Sequence, residues 1–181
     1  MDYPKQLDNL FPLQVDDRTG EPYLQLPSPN DNVRITPPRP GDVEATVKLL
    51  NDERIYPWLI RPPHPYREED GMEWNKRTTA RTQELFHRIG AGERIVDGCP
   101  VQTIRDVHED GTDTMIGDIS ICRESTDRAW VPSDNETKAV GDPTIVWTIG
   151  CRCFSLLETS KVKPADSPQF TSRPVTIGGV S

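Results

Sequence analysis

The chain has 181 residues with a formal net charge of −8, of which 34% are hydrophobic and 28% charged. That length holds one domain of ordinary size with a modest core. The acidic balance, with no strong basic run, argues against a nucleic-acid or anionic-lipid surface and leaves room only for a local pocket that takes an anionic cofactor.

No apolar stretch reaches the roughly 18 residues that span a bilayer, so no membrane partner is expected. The opening MDYPKQLDNLFPLQV has neither the basic region nor the apolar run of a secretory signal, which predicts a cytoplasmic protein. In that setting Cys99, Cys122, Cys151 and Cys153 are expected as reduced thiols. The Cys-Arg-Cys spacing is poor for a zinc knuckle and no histidine is near it in sequence, so no metal site is expected.

The 18 prolines, about twice the usual share, concentrate towards the two ends. Residues 1–32 hold DDRTG, EPY and PSPNDN, all turn-forming, and predict a proline-rich arm with one short edge strand at Leu24 and Leu26. VRIT at 33–36 is the first clear strand, stopped by Pro37-Pro38. Asp42 then stands where a helix begins, with its carboxylate placed to accept orphan amide hydrogens. Val43, Val47 and Leu50 follow as an apolar stripe, and Asn51 closes the helix.

ERIYPWLIRPPHPY at 53–66 is too rich in proline for helix and predicts a stiff aromatic loop. A second helix is expected over 67–89, with Glu68, Glu69 and Asp70 in its first turn and Gly90 at its end. Gly71 and Thr78-Thr79 predict a break within it. CPVQTIRDV at 99–107 and TMIGDISICR at 114–123 read as strands joined at Asp110-Gly111. In the second of these, Ile119 and Ile121 face one way and Asp118 and Ser120 the other, and Gly117 invites a close approach to the backbone. A long polar loop over 124–144, with Trp130-Val131 folded back, leads to the strand IVWTIG at 145–150. FSLLETSKVK at 154–163 offers at most one or two helical turns, followed by turn or disorder and an isolated VTIGGVS. The sum is an α+β fold built on a mostly antiparallel sheet.

The order of these segments resembles the first half of the GNAT fold, the Gcn5-related N-acyltransferases. The likeness is to the branch that acetylates ribosomal-protein N-termini. VRITPPRPGDVEATVKLLNDERIYPWL at 33–59, PYREEDGMEWNKR at 65–77, TMIGDISI at 114–121 and IVWTIG at 145–150 carry the resemblance. It divides the chain into the arm 1–32, the N-terminal portion of a GNAT-like domain over 33–150, and a divergent, partly disordered tail over 151–181.

The resemblance implies acetyl transfer from acetyl-CoA to a primary amine on a small molecule or peptide N-terminus. Acetyl-CoA would then be the cosubstrate, with the pantetheine arm held by the backbone of Trp147, Thr148, Ile149, Gly150 and Cys151. Tyr56, Trp58 and Tyr66 would line the acceptor groove, with Trp147 and Asp118 as further candidates. No catalytic residue is assigned. The family's Gly-x-Gly loop, whose amide hydrogens cradle the pyrophosphate, has no counterpart here: after Gly150 the next glycine is Gly178. Two histories fit that departure, a foreign C-terminal sequence joined to residues 1–150 or a short homologue that lost the cofactor loop. The alternative function is a truncated or inactive GNAT-like domain that binds a protein partner through an exposed sheet edge.

Overall fold

The computed structural model describes residue 3, residues 11–59 and residues 62–153. The segments read at 154–163 and 175–181 lie outside the described residues. Within them the chain forms β1 (Gln14–Val15), β2 (Pro22–Gln25), β3 (Val33–Thr36), α1 (Asp42–Asn51), α2 (Glu68–Gly90), β4 (Thr103–Val107), β5 (Asp113–Arg123) and β6 (Trp147–Cys153). The strands make one six-stranded sheet in the order β1-β2-β3-β4-β5-β6. Every neighbouring pair is antiparallel, so the α+β plan holds and the sheet is antiparallel throughout.

The N-terminal segment differs from the expected arm with a single strand. The Asp16 carboxylate accepts the Arg18 and Thr19 amides and the Thr19 hydroxyl, and Gly20 takes a left-handed φ of 70°. Asp16 thereby folds the Asp-Asp-Arg-Thr-Gly turn into a hairpin. β2 adds to β3 with Leu24 opposite Ile35, so these residues extend the sheet. Leu26 lies just past the strand.

Asp42 opens α1 as expected, but its carboxylate has another role. The N-cap of α1 is Gly41, which has no side chain to cap with, and Asp42 is the first helical residue. Its carboxylate accepts the Arg39 amide at 2.7 Å and both oxygens take Arg105 Nη2 at 2.9 and 2.8 Å. Arg105 Nε donates to Thr36 Oγ1 at 2.7 Å. Arg105 is 3% exposed and Asp42 5%. The face of α1 towards the sheet is thus partly polar (Asp42, Thr46, Leu49), and the Val43–Val47 stripe turns to α2 instead.

That second face explains why α2 does not break. It runs unbroken for 23 residues, with the Asp70 carboxylate accepting the Arg67 amide at its start. Gly71 is the point where the helices cross: a Cβ there would lie 3.1 Å from both Val43 Cγ1 and Val47 Cγ2. Packing to α1 fixes a glycine that propensity alone counts against. The loop between the helices contains one 3-10 turn at Tyr56–Trp58. Phe86, near the end of α2, packs with Val101, and Leu13, Leu24, Ile35 and Ile89 close around them.

β4 and β5 form the expected hairpin, with Gly111 at φ 80° in the turn. Their register shifts once, because Ile104 faces Gly117 while Arg105 faces Met115, leaving Ile116 as the extra residue of a bulge. The 124–144 loop is ordered around Asn135, which is fully buried. Its amide nitrogen donates to the Glu124 and Val146 carbonyls, and its oxygen accepts the Val146 amide. Arg123 donates to the carbonyls of Asn135 and Lys138. Val131 folds back as expected, buried at 7%, while Trp130 stays 65% exposed. Asn135→Ala is expected to cost about 2–3 kcal/mol, since it strands buried carbonyls and an amide. Limited proteolysis should then cut within 124–144 under conditions where the parent loop resists.

Candidate functional site

β6 lies beside β5 through seven unshifted pairs, from Arg123 opposite Trp147 to Gly117 opposite Cys153. The Glu124 amide donates to the Val146 carbonyl, which sets the alternation. The backbone groups of Thr148, Gly150 and Arg152 therefore point at β5, and those of Trp147, Ile149 and Cys151 point out of the sheet. Among the described residues no strand pairs with that outer edge. The five residues expected to hold a pantetheine arm are thus on the edge strand, and three of them turn backbone donors and acceptors outward. Trp147 and Ile149 are 40% and 67% exposed.

The close approach anticipated at Gly117 comes from β6 itself: a Cβ there would sit 2.3 Å from the Arg152 carbonyl oxygen and 2.7 Å from Cys153 Cα. That proximity seats Arg152 over Asp118, and Arg152 Nε donates to Asp118 Oδ1 at 2.9 Å. Asp118 does not face water, contrary to what a strand carboxylate suggests. Its side chain is 15% exposed, and burial holds its pKa above the ordinary carboxylate value while Arg152 opposes the rise. The Cys151 thiol is also pushed up, first by burial and then by Asp118, so it stays protonated at neutral pH.

α2 supplies the opposite wall. Trp74, 41% exposed, has the Arg77 and Arg152 guanidinium groups 5.6 and 5.7 Å from its ring centre. A cavity of about 460 Å³ lies between Trp74, Arg152, Tyr66, Leu50 and Pro62-Pro63. Adjoining it, and sharing Trp74 and Arg152, a water-sized space of about 30 Å³ reaches Asp118.

Of the three residues expected to wall the acceptor groove, Tyr66 lines this cavity. It is 6% exposed, exchanges two hydrogen bonds with the Asn51 side chain, and donates its hydroxyl to the Asp70 carbonyl. Tyr56 and Trp58 do not line it. Tyr56 stacks on His64 with ring centres 4.1 Å apart, and Trp58 projects outward at 83% exposure. Trp74, Arg77 and Arg152 were not singled out by sequence. A tryptophan one turn before Arg77-Thr78, in the polar first half of α2, is the signal that could have marked Trp74 and Arg77; Arg152 had none. Among the described residues, no group of three His, Cys, Asp or Glu side chains could hold a metal ion, and no helix is long and apolar enough to cross a membrane.

The folded carboxyl of Asp118 has a raised pKa, so the native state holds this proton more tightly than the unfolded chain. The sign follows: as pH rises from the unfolded carboxylate value to the raised folded one, the native state loses stability, and above that window the loss is constant. Asp118→Asn is expected to remove that segment of the pH–stability curve. Arg152→Ala should move the window to higher pH, because burial is then unopposed. Thermal melts across the acid range, with carboxyl ¹³C titration of Asp118, check both; identical curves for parent and Asp118→Asn count against the buried carboxylate.

The fold and site define an α+β domain with a six-stranded antiparallel sheet, two helices and an acid–arginine groove at the sheet edge. No family model, curated protein or solved structure matches the chain.

Proposed function

We propose that the chain is a GNAT-type N-acyltransferase domain, transferring acetyl from acetyl-CoA to a primary amine of a small molecule or peptide N-terminus in the cytoplasm. The observation that carries this reading is the outward backbone of Trp147, Ile149 and Cys151 on the strand that also bears Arg152, next to the strand that bears Asp118. An extended pantetheine arm can pair with such an edge as an added strand would. The strand–helix–helix–strand–strand–strand order with α1 and α2 between β3 and β4 also supports it.

In this reading the amine enters the cavity beside Tyr66 and Trp74. Trp74 and Tyr66 exclude water and orient it, which lowers the entropic part of the barrier. The amine nitrogen attacks the thioester carbonyl, a C–N bond forms, the C–S bond breaks, and the departing thiolate takes the proton that the nitrogen loses on becoming an amide. Asp118, whose burial raises its proton affinity while Arg152 favours its ionised form, attracts the ammonium form into the groove and accepts its proton through the water-sized space before attack. The pyrophosphate end of the cosubstrate has no glycine loop to meet in the sequence after Gly150.

A second reading is favoured by that missing loop and by the exposed Ile121, Trp147 and Ile149: an inactive GNAT-like module whose β6 edge takes a protein strand. Calorimetry with acetyl-CoA on the 181-residue chain, alongside a thermal melt, separates the two. Micromolar binding with a stabilised melt supports the transferase. A cooperative melt with no binding overturns it and leaves the partner-binding module.

A further inference from the structure

On the far side of Trp74 lies a second cavity of about 260 Å³, enclosed by α2 and by β5. We infer that it is a binding site for a small carboxylate with one apolar ring, sharing Trp74 and Arg77 with the acyl-transfer groove but argued independently of that reading.

The chemistry of its walls carries the inference. Trp74, Arg77, Thr78 and Arg81 recur at helical spacing, so one stripe of α2 presents an indole, a hydroxyl and two guanidinium groups to the same space. Across from them stand Ile121 and Cys122 of β5, with Cys99 below, giving an apolar floor. No carboxylate lines the cavity, in a chain whose acids outnumber its bases by 29 to 21. Two guanidinium groups without a lining acid present a local excess of positive charge, and partial enclosure strengthens its attraction for an anion.

The existing partners of these arginines leave capacity. Arg77 approaches Glu73 only at 3.9 Å, with both side chains well exposed, which contributes little. Arg81 donates to the Asp97 backbone carbonyl at 3.3 Å, while the Asp97 carboxylate is taken up by Arg123 at 2.9 Å. Ser120 Oγ, on the cavity wall, makes no hydrogen bond among the described residues, and Gln102 gives its amide nitrogen to Thr82. The cavity therefore brings two guanidinium groups, a serine hydroxyl and the Trp74 indole to one space, with the Arg77 guanidinium 5.6 Å from the indole centre. That combination suits a carboxylate better than a bulky phosphate ester, because the volume is that of one ring with a short acid arm.

The experiment titrates the full chain with 3-phenylpropanoate and, separately, with its neutral amide 3-phenylpropanamide, by calorimetry and by ¹⁵N-resolved NMR. The expected result is saturable binding of the acid about tenfold or more tighter than the amide, with shifts confined to Trp74, Thr78 and the Ser120–Cys122 segment. Arg77→Gln should remove the preference for the acid and Arg77→Lys should restore part of it; Arg77 is 65% exposed at its side chain, so both variants are expected to fold. Equal affinity for acid and amide, unsaturable binding, or an acid preference untouched by Arg77→Gln overturns the proposal. Acetyl-CoA titrated into the free and the acid-saturated protein keeps the two readings apart: acid binding without acetyl-CoA binding overturns the transferase alone, and acetyl-CoA binding without acid binding overturns this site alone.

Discussion

Asp42→Asn is expected to lower the free energy of unfolding by about 3–5 kcal/mol. Whole domains of this kind are stable by about 5–15 kcal/mol, so the variant would stand close to unfolding. The reason is the environment of Arg105. Its guanidinium is 3% exposed and is balanced at short range by both oxygens of Asp42, with Asp113 farther off at 3.6 Å from Nη1. Asparagine keeps the shape and removes the charge, leaving a buried cation facing an amide that has its own donors. The Arg39 amide loses a charged acceptor as well. Removing both charges is different: Asp42→Leu with Arg105→Met is expected to recover most of the loss, because the desolvation of two ions disappears with their attraction. Urea unfolding of the parent, the single variant and the double variant, at a common m-value, checks this. A single-variant cost below about 1 kcal/mol would show that Arg105 is solvated well enough without its partner.

Gly117→Ala should be the more damaging of two superficially equal glycine replacements, at about 3 kcal/mol. The added methyl meets the Arg152 carbonyl and the Cys153 Cα, both main-chain atoms that no rotamer change can move. β6 must shift away from β5, and with it goes the Arg152–Asp118 hydrogen bond that shapes the groove. Amide exchange at the β5-facing Thr148, Gly150 and Arg152 is the direct measure, expected to become fast while β3 and β4 stay protected. Gly71→Ala is the control. There the methyl meets the ends of two valine side chains at 3.1 Å and gains helix propensity of about 1 kcal/mol, so the net change should stay within about 1 kcal/mol. Comparable losses at both positions would count against the tight β5–β6 contact.

The elements with a strong local signal were legible in the sequence. α1 and α2 fall within a residue of their expected ends, because periodicity and first-turn acids agree with Asn51 at the end of one and Gly90 at the end of the other. The β4–β5 hairpin follows from Asp110-Gly111. What sequence did not reveal depends on contacts distant along the chain. Asp42 reads as a cap because caps are local, whereas its partner Arg105 is 63 residues away. Gly71 reads as a helix breaker because nothing nearby discloses that Val43 and Val47 cross there. β2 was legible only as a short edge strand around Leu24, and β1 not at all, because strands of four and two residues carry little pattern. The site suffered in the same way. The strand bearing Trp147–Cys151 was legible, yet the groove itself needs Arg152 opposite Asp118, a matter of register, and Trp74 above them, a matter of helix packing.

The bulge at Ile116 has a consequence for how such a site can change over time. A strand read in strict alternation would send Met115 and Asp118 to opposite faces, since they are three residues apart. The extra residue resets the phase, so that both reach the space under α1 and α2. Strand length here acts as a switch on side-chain direction: losing one residue between Met115 and Gly117 would rotate one half of β5 against the other. The acid could then leave the groove without being mutated. Chemistry at this edge is consequently more exposed to single-residue insertions and deletions than to substitutions, and descendants that keep Asp118 in sequence could still lose it in space.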